Sequence, residues 1–443
     1  MTRILARSNV SRLAADYGMV GVLLLLCACC TVGTIHKQRP EGRQAARIVA
    51  GRLDGSDRAG TIAIVAEDAL FAETLEDLLG ASRVVATITG PPRALRQGLE
   101  RLLADRADLD TVATSRTNRL LVEDVLREAS AADRVRVVFA EEYRWPTFLT
   151  RSNLLNVANR NVVIAVLAVG MTMVIITGGI DLSVGSLVAL SAVVAATLIA
   201  QTGGKQATLL VMIGASLGAI GLCAGVGGFC GVMISIFRIP PFVVTLAMMW
   251  VASGLAYIIS DGKSIADVPE AYDWLGSRAS LLGVPNTLVL MVAVYAIGHV
   301  VMSQTRLGRH IYAIGGNRLA ARLSGIHVNR VLLVVYTISG AMAGIGGVML
   351  ASQFRSGVAN YGRMYELYAI AAVVVGGTSL AGGEGKMLGT LIGVFVIAVV
   401  QNAMNLLEID PYAQDVVLGL IVLAVVLLDM LKRHGWRRLL TPE

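Results

Sequence analysis

Residues 178–185 read Gly178-Gly179-Ile180-Asp181-Leu182-Ser183-Val184-Gly185 and split a long apolar stretch into two segments, 154–178 and 184–202. Hydrocarbon cannot satisfy the amides and carbonyls of irregular backbone. Such a break is therefore tolerated at membrane depth only where it is buried in protein or lines a watery cavity. Asp181 is the single acid of the break. A membrane carboxylate is costly to bury, which makes it a candidate for contact with a passing solute. It is also well placed to cap a helix starting near Leu182, accepting from free amides and complementing the helix dipole. Sequence leaves both readings open.

Working outward, the apolar segments beyond Arg151 fall at 154–178, 184–202, 207–236, 240–260, 286–304, 328–352, 365–377, 387–406 and 414–431. Each is near the roughly 20 residues that cross the hydrocarbon layer as a helix. A further apolar run, Gly18 to Gly33, follows Arg3, Arg7 and Arg12, which brings the total to about ten. That run suits a signal anchor or a cleaved signal peptide, and Leu26 to Cys29 faintly resembles a lipoprotein cleavage box. An uncleaved first helix is the expectation. The composition agrees with an all-α polytopic membrane protein: 55% of the 443 residues are hydrophobic and 16% charged, against about 25% charged in soluble chains. The net charge of +7 does not point to nucleic acid, because aromatics are only 5% and no basic stripe is interleaved with them.

With the N-terminus in the cytoplasm, ten crossings place Arg238, the Arg306 to Arg330 segment, Lys386 and the Lys432 to Arg438 tail on the cytoplasmic side, as the positive-inside rule requires. Acids outnumber bases in the opposite loops, through Asp261, Asp267, Glu270, Asp273, Glu366, Glu408 and Asp410. Both termini are then cytoplasmic and residues 36–150 lie outside. That stretch carries 18 of the 31 acidic residues in about a quarter of the length, so it is water-exposed. Strand patterns at Thr61 to Ala66, Arg83 to Ile88, Leu109 to Ala113 and Val135 to Ala140 alternate with helical patterns at Phe71 to Leu79, Ala94 to Leu103 and Leu120 to Ala129. The expectation is a small parallel α/β unit inserted between helices 1 and 2.

The break at 178–185 has an echo. A second helix runs into Gly376-Gly377-Thr378-Ser379-Leu380-Ala381-Gly382-Gly383, and another apolar helix follows. Paired glycine-rich interruptions in two halves mark membrane proteins built from two pseudo-repeats. A further signal lies in Gly308-Arg309-His310-Ile311-Tyr312-Ala313-Ile314-Gly315-Gly316-Asn317 and the following Arg318-Leu319-Ala320-Ala321-Arg322-Leu323-Ser324-Gly325-Ile326. Asn317 can cap a short helix there, and Gly325 can end it in the left-handed conformation. A helix of about two turns with small and basic residues suits a partner's groove; a solvated loop is the alternative.

The run Gly179 to Gly185, the Gly315-Gly316-Asn317 loop ending in Ala320 to Ile326, and the stretch from Ala369-Ile370 to Gly383 together resemble the ribose/xylose/galactoside permease family of ABC importers. The likeness covers essentially all of 151–443, in order and spacing. It implies a ten-helix permease in the bacterial inner membrane, with residues 1–35 as cytoplasmic segment and first helix, 36–150 as extracytoplasmic insertion and 151–443 as the permease core. It implies a pair of permease chains, homo- or heterodimeric, two cytoplasmic ATPase domains that hold ATP and Mg, and a separate periplasmic sugar-binding protein. Within that frame Gly178, Gly179, Asp181, Ser183, Gly185, Gly376, Gly377, Thr378, Ser379 and Glu366 are the expected translocation pathway. Gly308, Arg309, Gly315, Gly316, Asn317, Ala320, Ala321, Arg322, Ser324 and Gly325 form the element expected to couple to the ATPase. The chain departs from the family pattern at Tyr368, and at Arg318-Leu319, where acids are usual. Residues 60–140, chiefly in their later part from Arg83 to Val138, resemble, more weakly, one lobe of a periplasmic sugar-binding protein. A binding protein closes two lobes around its solute, so a structural cover or a docking surface is the expectation for the insertion.

Other signals exclude. A phosphate-binding loop would need Gly at Leu380 and a hydroxyl at Met387 around Gly385-Lys386, so ATP hydrolysis falls to another polypeptide and no enzyme activity is expected of this chain. Cys27, Cys29, Cys30, Cys223 and Cys230 fall in apolar segments, and His299 and His310 have no partners at ligand spacing; no metal and no bound cofactor is expected. The pairs Gly214/Gly218, Gly221/Gly225, Gly227/Gly231 and Gly340/Gly344 read as close helix packing. An ion-coupled carrier would show more buried ionisable groups than Asp181. A membrane receptor would need an effector, but only about a dozen residues follow Leu431.

Overall fold

A computed structural model describes residues 2–54, 60–80, 83–106, 108–275, 280–281 and 284–439, with side chains left undescribed at 2–17, 38, 280–281, 425 and 428–439. The side chains of Arg3, Arg7, Arg12 and the Lys432 to Arg438 tail thus lie outside the described residues. The chain forms two compact units, one of residues 1–34 with 148–443 and the other of Ile35–Thr147.

Helix α1 (Thr2–Gly33) belongs to the first unit. The second opens with β1 (Ile35–Gln38) and α2 (Gly42–Asp54), continues through β2 (Thr61–Ala66), α3 (Ala69–Leu79), β3 (Val84–Thr89), α4 (Pro92–Asp105), β4 (Leu109–Thr114), α5 (Arg119–Glu128) and β5 (Arg136–Val138), and ends in β6 (Tyr143–Pro146). Four strands pair in parallel in the order β3-β2-β4-β5. Period-two alternation sends Ile62, Ile64 and Ala66 into one apolar layer with α2 and α3, and Ala63 and Val65 into another with α4 and α5. Sequence reading missed α2 and the antiparallel pair of β1 with β6. The buried stripe of α2 is Ala45, Ala46, Val49, Ala50 and Leu53, mostly alanine and therefore weak as a hydrophobic signal.

The first unit resumes with α6 (Arg151–Ile176), α7 (Val184–Thr202), α8 (Leu209–Ser235), α9 (Pro241–Ser260), α10 (Asn286–Gln304), α11 (Arg306–Gly316), α12 (Arg318–Leu323), α13 (Val328–Phe354), α14 (Tyr365–Val375), α15 (Met387–Leu406) and α16 (Pro411–Leu439). Seven of them, α6, α7, α8, α9, α10, α13 and α15, are long and apolar enough to cross a membrane. The apolar parts of α1, α14 and α16 are shorter. The expected span 365–377 is a helix of 11 residues, about 16 Å long and hence half a hydrocarbon layer; the glycine break carries the chain onward. Helix α6 sits at the centre, with α13, α15, α14 and α10 packed on it.

Apolar burial does not drive helices together in lipid, so backbone proximity and polar ties must. Gly227 and Gly231 of α8 meet α13 so closely that a Cβ at either would collide with the backbone of Tyr336 or Leu333, and Gly340 and Gly344 answer from the other side. The remaining glycines behave differently: Gly214, Gly221 and Gly225 face open space, and a Cβ at Gly218 would make only ordinary contact. Asn153 and Asn402 exchange amide hydrogen bonds of 3.0 and 2.9 Å between α6 and α15, and the hydroxyls of Thr172 and Thr390 meet at 2.8 Å.

Candidate functional site

Helices α6 and α14 end in the same way. After α6, Gly178 adopts φ 77°, its amide donates to Ile175 O, and the Gly179 amide donates to Val174 O. After α14, Gly377 adopts φ 87°, its amide donates to Val374 O, and the Thr378 amide donates to Val373 O. This is the paired-bond helix stop that requires a left-handed residue, which glycine supplies without a Cβ clash. The internal echo is thus a repeated backbone device.

Beyond the stop, the first break is held by Asp181, which is 1% exposed. Its Oδ1 accepts from the Ser183 amide at 3.0 Å and the Ser183 hydroxyl at 2.6 Å, and its Oδ2 accepts from Ser339 Oγ of α13 at 2.7 Å. Helix α7 starts at Val184 with Ser183 in the cap position, so Asp181, two residues before that cap, braces the turn that leads into the helix and does not cap a helix starting near Leu182. Next to it, a Cβ on Gly179 would meet the Tyr336 hydroxyl, which is buried without a hydrogen-bond partner among the described residues.

The second break is held by backbone. Gly382 and Gly383 have φ 88° and 77°, and the Gly383 amide donates to Ile176 O at 2.9 Å. Gly315, near the end of α11, fits into the same place: a Cβ there would overlap the Ile176 carbonyl and the Gly383 amide. Tyr312, also on α11, donates its hydroxyl to Gly385 O at 2.7 Å; partial burial raises its pKa, opposed by the Lys386 charge. The two breaks and the Gly308–Gly325 segment therefore meet in one joint. Gly376 packs against Gly389 and Gly393 of α15, Ser379 is buried with its hydroxyl accepting from the Ala381 amide, and Thr378 is buried with no partner for its Oγ1 among the described residues.

Gly185 and Glu366 come together elsewhere, at a cleft of 390 Å³. A Cβ on Gly185 would overlap the Glu366 carboxylate, which sits in the first turn of α14. Across the cleft stand Trp250, Ser253 and Tyr257 of α9, and Asn360 and Arg363 complete the wall. Asp181, Ser183, Thr378 and Ser379 do not line it. Sequence reading missed the α9 stripe, although its spacing of three and four puts the residues on one helix face. Aromatic faces beside hydroxyl, amide and carboxylate groups suit a ligand with C–H faces and several hydroxyls.

In the coupling segment Asn317 caps α12 by accepting from the Ala320 amide at 2.9 Å, and Gly325 closes it with φ 84°. Ala321 is buried, while Leu319 and Leu323 are 67% and 82% exposed. Ser324 and Arg309 are exposed, and Gly308 packs against the Val301 and Met302 carbonyls. Arg318 and Arg322 share a cleft with Arg238. Partial burial, then the charges of Arg322 and Arg238, lower the Arg318 pKa. Among the described residues none of the three has an acidic partner, and no group of three or more His, Cys, Asp or Glu is placed to hold a metal.

Among the described residues, seven helices long and apolar enough to cross a membrane, packed with a doubly broken centre, mark a multi-pass membrane protein. Residues 153–426 match the family described as branched-chain amino acid transport system / permease component, and the chain belongs to that family. It is similar to the ribose import permease protein of Escherichia coli strain K12, 40% identical over 65% of this chain and 88% of that one. It is similar also to the ribose import permease protein of Bacillus subtilis strain 168, 41% identical over 65% and 87%, and to the L-arabinose transport system permease protein of Escherichia coli strain K12, 39% identical over 66% and 87%. No solved structure matches the chain. The family match begins after residue 152, and so leaves Ile35–Thr147 outside it.

Proposed function

We propose that this chain is the membrane-spanning subunit of an ATP-driven importer in the bacterial inner membrane, carrying a monosaccharide or related polyol by alternating access. The similarity to ribose and arabinose import permeases supports the substrate class. The observation that carries it within the chain is the cleft that Trp250, Ser253 and Tyr257 line together with the Glu366 carboxylate, which no other side chain engages among the described residues. Ten crossings with both termini in the cytoplasm fit the charge asymmetry of the loops. On that topology Ile35–Thr147 is an extracytoplasmic α/β domain, and α11–α12 faces the cytoplasm. The exposed Leu319 and Leu323, flanked by arginines without an acidic partner among the described residues, suit a docking surface for an ATPase that binds ATP and Mg. A periplasmic binding protein delivers the solute, and a second permease chain completes the pathway.

The test is uptake into proteoliposomes holding this chain with its ATPase and binding protein. ATP-dependent uptake of a neutral pentose, lowered about tenfold by Trp250→Ala through loss of the aromatic platform, is expected. Uptake of L-leucine in its place, or uptake driven by an ion gradient without ATP, overturns the reading. Arg322→Glu is expected to leave ATP hydrolysis running while uptake falls; survival of both defeats the coupling role.

A further inference from the structure

The second unit holds a cleft that the transport reading does not use. The chain passes from β2 outward to β3 and then returns to β4 on the other side of β2. Helix α3, after β2, packs on one face of the sheet and α5, after β4, on the other. The loops leaving the carboxyl ends of β2 and β4 therefore diverge, and at such a switch point open parallel sheets hold their ligands. A cleft of 650 Å³ lies there, lined by Arg39, Glu67, Asp68, Arg116, Thr117 and Asn118 among others, within the roughly 300–1,000 Å³ typical of small-molecule sites.

Its polar groups are pre-set. Asn118 is 3% exposed, and its Oδ1 accepts from the Glu67 amide at 3.1 Å and from Ser115 Oγ at 2.6 Å. Those donors fix the orientation of the amide, and the two N–H bonds of its Nδ2, which no group of the chain accepts among the described residues, are left for the cleft. Glu142 holds two cleft arginines, accepting from Arg39 Nε at 3.1 Å and lying 3.1 Å from Arg116 Nη2. Among the described residues the Glu67 side chain has no partner, and Asp68 uses Oδ1 on the Leu70 amide and keeps Oδ2. Donors and acceptors thus alternate around the opening, with the carboxylates of Glu41, Glu67 and Asp68 outnumbering Arg39 and Arg116, both of which Glu142 already holds. A lining with more carboxylates than arginines offers no net attraction to an anion, and one whose apolar members are Pro40 and Ala45 offers little to an aliphatic side chain.

We infer that this cleft is a binding site for a neutral polyhydroxylated solute of monosaccharide size, separate from the transmembrane pathway and independent of the transport reading. Vicinal hydroxyls would donate to Glu67 and Asp68 and accept from Asn118 Nδ2 and Arg116. The test is hydrogen exchange of the full chain in lipid nanodiscs with D-ribose, L-arabinose, D-galactose and myo-inositol, and with L-leucine and inorganic phosphate as other classes. Saturable slowing of exchange over 65–70 and 114–121 is expected with at least one neutral solute and with neither control. Glu67→Gln should weaken that solute about tenfold, as loss of a charge-assisted hydrogen bond does, with unchanged protection of β2 and β4 showing the fold intact; Trp250→Ala should leave the effect untouched. Slowing by phosphate or leucine, an undiminished effect in Glu67→Gln, or no slowing by any of the four neutral solutes overturns the assignment.

Discussion

The two glycine breaks begin alike and are finished differently. Both use a left-handed glycine, Gly178 or Gly377, to stop a helix with the same pair of backbone bonds. The first then spends one buried carboxylate, Asp181, on two serines, one of them 158 residues away on α13. The second instead docks Gly383 onto the end of α6 beside Gly315. One break is braced by a side chain and the other by main chain. The difference teaches that irregular backbone inside a bundle can be stabilised by either route, and that each route has its own point of failure.

The largest expected effect is at the side-chain brace. Asp181→Ala leaves the Ser183 amide, the Ser183 hydroxyl and the Ser339 hydroxyl without an acceptor, at about 1–3 kcal/mol for each group left buried and unpaired. Uptake should fall at least tenfold by the arithmetic of about 1.4 kcal/mol per decade, while the amount of chain in the membrane fraction stays the same. Normal transport by that variant removes Asp181 from the account. An intermediate effect is expected at the main-chain brace: in Gly376→Ala the new Cβ overlaps the Gly389 carbonyl, a strain of about 1–3 kcal/mol. A lowered midpoint of thermal unfolding in detergent would register it, and an unchanged midpoint would mean that α14 and α15 are not in backbone contact. The smallest effect is Thr378→Val. Its hydroxyl is buried without a partner, so the isosteric change should alter stability by less than about 1 kcal/mol; a larger loss would reveal an acceptor the second break depends on.

Much of this comparison was readable from residue order. The glycine stops, the Asn317 cap and the Gly325 closure follow from local rules that need only neighbours in sequence. The Ser339 partner of Asp181 was not readable, since a contact across 158 residues has no local signature. The cleft at Gly185 was half readable: Glu366 stood out as an acid, but its meeting with Gly185 depends on the path of the loop through Gly362 and Met364, both at positive φ. Helix α2 escaped because an alanine stripe between arginines has little contrast. The closely packed Gly227 and the open Gly221 look identical in sequence, and only the neighbouring helix distinguishes them.

The joint itself admits a direct test from two adjacent glycines of α11. A Cβ on Gly315 would overlap Ile176 and Gly383, whereas a Cβ on Gly316 would meet nothing, and alanine favours a helix over glycine at both positions. ATP-driven uptake by the reconstituted importer should be abolished in Gly315→Ala and retained in Gly316→Ala. Equal uptake by the two variants would contradict the claim that the coupling segment and the paired breaks act through one backbone contact.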